Sequence, residues 1–242
     1  MSKGTRLLLV HGSVVNGEVT WNAQRPLAER FELVVPNRRG FPPGPDVPHV
    51  DFEDEAVWLE QWLEPGTHVV GHSYGGVIAL LAAARRPELV RSLTVVEPPA
   101  FAIARGDPAV DAFVAAGDRL WNDGPRNPEA FLRIFLRSVG ARVPPGRFSA
   151  ALLQGARTLM VERPPWVAEI PLDALAAAPF PVLAVSGGHS KAFDTVCDVL
   201  EARLGAERLV LRGAGHSPQR LGEPFNRALE EFVARAESVS HS

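Results

Sequence analysis

The chain has little cysteine, little lysine and no long apolar run, and each scarcity closes off a class of protein. One of its 242 residues is cysteine, Cys197, so neither an internal disulfide nor a thiolate metal cluster can form within the chain. Lysine occurs only at Lys3 and Lys191, and the formal net charge of −3 offers no basic field for nucleic acid. No segment approaches the run of about 20 apolar residues that crosses a membrane as a helix. The opening Met-Ser-Lys-Gly-Thr-Arg precedes only four apolar residues, Leu7 to Val10, too few for a signal-peptide core, so a cytoplasmic location is expected. No internal repeat is present, and the 22 prolines punctuate turns and helix starts. With 46% hydrophobic and 22% charged residues, the chain is long enough for one large domain, or for one domain carrying an insertion. A monomer and a homodimer are both consistent with it.

The chain is organised around Val69-Val70-Gly71-His72-Ser73-Tyr74-Gly75-Gly76, in which an apolar run meets G-x-S-x-G and an alanine-rich helical pattern follows from Val77 to Arg86. A strand that turns sharply into a helix holds its serine in a strained conformation. The residues two before and two after must then be almost free of side chain. Ser73 is therefore the candidate nucleophile.

Around it, apolar strands alternate with helices. Strands are expected at Arg6 to Val10, Phe31 to Pro36, Thr67 to Val70, Ser92 to Val96, Pro181 to Val185 and Arg208 to Leu211. Helices are expected from Trp21 to Phe31, after the cap Asp51, through Phe193, Val196, Cys197, Leu200 and Leu204, and from Pro224 to Ser238. On this pattern Cys197 is a small core residue. Such alternation builds a parallel sheet covered by helices on both faces, with ligands at the carboxyl ends of its strands. Residues 100–178 break the alternation. They read as four helices: two opened by Asp107-Pro108 and Asn127-Pro128, one from Phe148 to Met160 and one from Leu172 to Ala178. A helical excursion at the strand ends is expected to act as a lid, leaving 1–99 and 179–242 as the core domain.

His11-Gly12 after the first strand, Gly71-x-Ser73-x-Gly75, and Gly213-x-Gly215-His216 after the last together resemble the α/β-hydrolase family over nearly the whole chain. The resemblance implies an α/β-hydrolase fold with a helical cap, lacking the first two strands of the family. It implies His216 as the base for Ser73, and an oxyanion hole from the backbone N–H groups of Ser13 and Tyr74. His11 would shape that loop. His72 is expected to turn away from the site and pack beside the elbow, and His49 and His68 read as solvent-side or strand-end residues. His189 has no assigned part.

The acid departs from the commonest family pattern. The position three residues after Gly187, an aspartate in many relatives, is Ser190. Two carboxylates could replace it. Glu97 ends the fourth strand, and Asp194 falls in a first helical turn, where Ser190 as cap and the helix dipole already account for it. Glu97 is favoured, because a carboxylate at a buried strand end needs a partner.

These residues imply a metal-independent, cofactor-free serine hydrolase for a small apolar ester, thioester or lactone. Trp121, Phe131, Phe135 and Trp166 of the lid are expected to wall the pocket. Carbon–carbon hydrolases and hydroxynitrile lyases of the family keep the same triad. The lyase reading expects a cationic group at the site, for which Lys191 is a weak candidate. A ligand-binding protein that has lost catalysis is the reading from a different class. Dehalogenases and epoxide hydrolases, with aspartate in place of Ser73, are disfavoured.

Overall fold

The computed structural model describes residues 4–238. Its sheet has six strands in the order β2-β1-β3-β4-β5-β6, all pairs parallel. The strands are β1 Arg6–Val10, β2 Glu32–Val34, β3 Thr67–His72, β4 Val90–Val96, β5 Val182–Ser186 and β6 Glu207–Val210. In β1, β3 and β5 nearly every residue is buried, as a parallel sheet covered on both faces requires.

One face carries α2 (Phe52–Glu60), α3 (Tyr74–Arg85) and α8 (Lys191–Leu204), in a core that includes Val77, Ile78, Leu80, Phe193 and Cys197. Asp51 caps α2 by accepting from the Glu53 N–H, and three acidic residues in the first turn meet the positive end of the helix dipole. The other face carries α9 (Glu223–Ser238), which packs Phe225, Leu229 and Phe232 with Trp21 against Leu7, Leu9 and Val70.

Three local expectations need correction. The helix expected from Trp21 to Phe31 is a short α1, Gly17–Thr20, followed by a 3-10 stretch from Asn22 to Glu29 with Pro26 inside it. A proline that cannot donate to the preceding turn accounts for the break in α-helical bonding. His68, read as a solvent-side or strand-end residue, does stand at the start of β3 but is not solvent-side: it is wholly buried between Ser92 Oγ, at 2.8 Å, and Glu237, at 3.0 Å. Ser190 stands at the N-terminus of α8 but makes no side-chain capping bond.

Between β4 and β5 lie α4 (Pro108–Asp123), α5 (Pro128–Ser138), α6 (Ala150–Val161) and α7 (Leu172–Ala176). Asp107 and Asn127 cap α4 and α5 with proline at the first helical position. The segment is not one packing unit. Leu120, Phe131, Leu132, Phe148, Ala156 and Leu159 form a cluster of their own with Val14. Phe101, Val110, Val114, Ile170 and Leu175 instead belong to the main core under α3 and α8. The part with a separate core is therefore the middle of residues 100–178, and its two ends are built into the sheet-covering layer.

Candidate active site

Strand register sets the site. β3 and β4 pair His72 with Val96, so the next residues, Ser73 and Glu97, leave the sheet side by side at its carboxyl edge. The Ser73 N–H donates to Val96 O at 2.8 Å, and the Glu97 N–H donates to Val185 O at 2.8 Å. Both residues have positive φ, 52° at Ser73 and 51° at Glu97, and Val14 at 78° is the one other non-glycine in that region among the described residues. Such strain persists only where the surroundings over-determine it, and here all three instances sit at one place.

The elbow depends on missing side chains. A Cβ on Gly71 would lie 2.4 Å from Gly75 O, and one on Gly75 would lie 2.4 Å from His11 O. Strand, turn and the loop after β1 could not close with any other residue at either position.

His216 arrives on the loop after β6. Ser73 Oγ–H donates to His216 Nε2 at 2.9 Å, and His216 Nδ1–H donates to Glu97 Oε2 at 3.1 Å. The other Glu97 oxygen accepts from the Gly187 N–H at 2.5 Å. All three residues are buried, Glu97 completely. Burial pushes the Glu97 carboxyl up to about 7, against the opposing Gly187 N–H and His189, and burial pulls His216 down to about 3. The imidazole is thus neutral at rest, with its Nε2 lone pair on the serine hydroxyl. A carboxylate waits at Nδ1 for the positive charge that proton uptake would create.

Asp194, the alternative acid, is held elsewhere. It accepts from Ser186 Oγ at 2.5 Å and pairs with Arg208 at 3.1 Å, close to the start of α8. Lys191 is exposed and lies 3.7 Å from Asp198, so it presents no cation to the site.

The histidines divide sharply. His11 Nδ1–H donates to Gly12 O at 2.8 Å, and its Nε2 accepts the Arg38 N–H at 2.9 Å, which fixes the loop after β1. His72, expected to face away, donates instead to the backbone carbonyl of His216 at 2.8 Å, its ring 5.2 Å from the His216 ring. It therefore braces the loop that carries His216. His189 donates to Val139 O at 3.0 Å and brings Nδ1 to 3.7 Å from Glu97 Oε2. His49 is exposed.

The backbone N–H groups of Ser13 and Tyr74 donate to no partner among the described residues, and both residues line the cavity beside Ser73. The Ser13 hydroxyl is engaged with Glu162 Oε2 at 2.5 Å. Glu162 pairs with Arg38 at 2.7 Å, and Arg38 pairs with Glu55 at 2.6 Å, all three almost fully buried. Arg38 also donates to Gly12 O at 2.9 Å and lies 4.4 Å over the Tyr74 ring. Burial raises both glutamates, with the Arg38 charge opposing. Nothing in the sequence pointed to this cluster, since its members are far apart and only folding brings them under one loop.

Two chambers open on Ser73. The inner one, about 30 Å³, is walled by Phe101, Phe113, Trp121, Phe135, Trp166 and Phe193. The outer one, about 280 Å³, reaches Arg142 and Arg220 past His72 and His216. Trp121, Phe135 and Trp166 line the inner chamber as expected positions would, but Phe131 does not. It stands behind Trp121, edge-on at 5.2 Å, and holds that ring in place. The cause is helical phase: Phe131 and Leu132 are the buried residues of α5, facing the cluster inside the insertion.

The chain is similar in sequence and fold to known proteins. The model of the Alpha/beta hydrolase family matches residues 7–234. A 2-(acetamidomethylene)succinate hydrolase of Mesorhizobium japonicum is 28% identical, over 88% of this chain and 82% of its own. A pimeloyl-[acyl-carrier protein] methyl ester esterase of Aeromonas hydrophila is 29% identical, over 72% of this chain and 65% of its own. An alpha/beta hydrolase structure from Sphaerobacter thermophilus superposes with a TM-score of 0.67 at 24% identity, covering 95% of this chain and 93% of its own. With a family match running from β1 into α9, over a parallel sheet whose third strand ends in a strained G-x-S-x-G turn, the chain belongs to the α/β hydrolase family.

Proposed function

We propose that the protein is a serine hydrolase that cleaves a carboxylic ester, thioester or lactone through an acyl-enzyme on Ser73. The observation that carries this reading is the continuous chain of hydrogen bonds from Ser73 Oγ to His216, at 2.9 Å, and from His216 to Glu97, at 3.1 Å. Ser73 attacks the substrate carbonyl as its proton passes to His216 Nε2. The oxygen that becomes negative sits against the N–H groups of Ser13 and Tyr74, at the positive end of α3. When the tetrahedral species collapses, His216 returns the proton to the departing alcohol or thiol. Water then enters, gives a proton to His216 and its oxygen to the acyl carbon; as the second tetrahedral species collapses, His216 returns that proton to Ser73 Oγ, and the acid and free serine are released. Glu97 keeps the imidazole in its Nδ1–H tautomer and stabilises the imidazolium in both halves.

The middle of residues 100–178 serves in this reading as the cap that closes the apolar chamber over the acyl group. The Aeromonas relative, a methyl ester esterase by name, supports an ester as the substrate. The lyase alternative has lost its lysine, because Lys191 pairs with Asp198 at the surface.

Aryl esters of increasing acyl length, given to wild type and Ser73→Ala, test the reading. Turnover that disappears with Ser73→Ala is expected; turnover that persists would mean that the serine is no nucleophile.

A further inference from the structure

The outer chamber differs in chemistry from the inner one. Its only charged lining groups are Arg142, on the segment after α5, and Arg220, in the 3-10 turn Pro218–Leu221. No aspartate or glutamate lines it. Both arginines are exposed and have no ion-pair or hydrogen-bonded side-chain partner among the described residues, as is also true of Arg119, Arg126 and Arg137; what sets the two apart is that they line the same recess beside Ser73. Two guanidinium groups from segments far apart in the sequence thus border one recess that carries no acidic side chain, which is the charge pattern that suits an anion.

The recess also has a definite place in the reaction. Its wall includes Ser73, His72, His216 and Ser217, and the Arg220 charge is felt at both His72 and His216. His216 must hand its proton to the leaving atom; it lines both chambers, but Ser217 and Arg220, which follow it, line only the outer one. The turn that follows His216 leads directly to Arg220. The inner chamber, small and aromatic, takes the acyl group.

We propose that the outer chamber is an anion subsite, in which Arg142 and Arg220 hold a carboxylate or phosphate carried by the alcohol or thiol portion of the substrate. This deepens the esterase reading and rests on it. The favoured substrate is a short acyl group esterified to an anionic alcohol or thiol.

The test uses esters with one acyl group and three alcohol chains of equal length, ending in a neutral group, a carboxylate or a phosphate monoester. For wild type at low salt, kcat/KM for at least one anionic ester should exceed the neutral one by about tenfold, the scale that two partly exposed charge pairs supply. That ratio should fall towards one in the Arg142→Gln/Arg220→Gln double variant and, in wild type, at high ionic strength. Selectivity for carboxylate or for phosphate would name the source of the charge. A wild-type ratio at or below one would overturn the subsite, as would a ratio that the double variant leaves unchanged. If no ester is turned over, the esterase reading fails separately. The carboxylate-ended ester titrated calorimetrically into Ser73→Ala then tests the subsite alone: tenfold weaker binding when both arginines are also replaced supports it, and equal binding overturns it.

Discussion

Ser73, His216 and Glu97 meet because adjacent strands end in register, and the chemistry at each position follows from its burial. Glu97 is wholly buried and accepts from Gly187 and His216, whereas Asp194 already serves Ser186 and Arg208. Glu97→Gln should therefore lower kcat by about 10²–10⁴-fold, because an amide neither fixes the tautomer nor stabilises the imidazolium. Asp194→Asn should leave kcat within a few-fold of wild type; parallel steady-state assays decide. A pH dependence goes with this. Burial pushes the Glu97 carboxyl up to about 7, and the proposed mechanism needs it ionised beside a neutral His216. kcat/KM should accordingly rise with pH through about 7 and then level, a rise that Glu97→Gln should lose. That Ser73 and His216 come together was readable from local motifs, and that Glu97 joins them from the need of a buried strand-end carboxylate for a partner. His72 was not readable. Alternation sends a neighbour of the nucleophile to the other side, but the loop after β6 folds back over that side and meets it.

At the scale of elements, α6 and the loop after β1 are pressed together. A Cβ on Gly155 of α6 would lie 1.8 Å from Val14 O, next to the candidate oxyanion donor Ser13. Gly155→Val should displace that loop and lower kcat on the order of 10²-fold, the cost of about 1 Å of misplacement, with the sheet core unaffected. Activity and thermal unfolding measured together check it. Arg38 holds the same loop from below through Glu55, Glu162 and Gly12. Arg38→Met should destabilise the fold by about 3–5 kcal/mol in urea titration at neutral pH, since it strands two buried carboxylates. Burial raises both groups in the folded state, and loss of the arginine raises them further. Such groups contribute most when protonated and lose that contribution as pH rises through the folded values, so the deficit should be larger at alkaline than at acid pH. The main elements were legible from periodicity and caps. The 3-10 run around Pro26 and the phase of Phe131 were not, because tertiary packing selected them.

For the whole molecule, the insertion divides into a separate cluster above the site and two ends rooted in the main core. That division was invisible in the sequence, because a helix's apolar face does not say which partner covers it. The resulting inner chamber of about 30 Å³ leaves room for few atoms. Acetyl or propionyl esters should thus be preferred over longer ones, each poorly fitted methylene costing on the order of 1 kcal/mol. Phe135→Ala should move the optimum towards longer chains, as an acyl-length series will show.

Acylation of Ser73 with the help of His216 and Glu97 can be probed by treating the protein with a fluorophosphonate and mapping the adduct by peptide mass spectrometry. One adduct per chain on the peptide containing Ser73, formed much more slowly in Glu97→Gln and His216→Ala, is the predicted result. No adduct, or one on another residue, would mean that Ser73 is not the nucleophile.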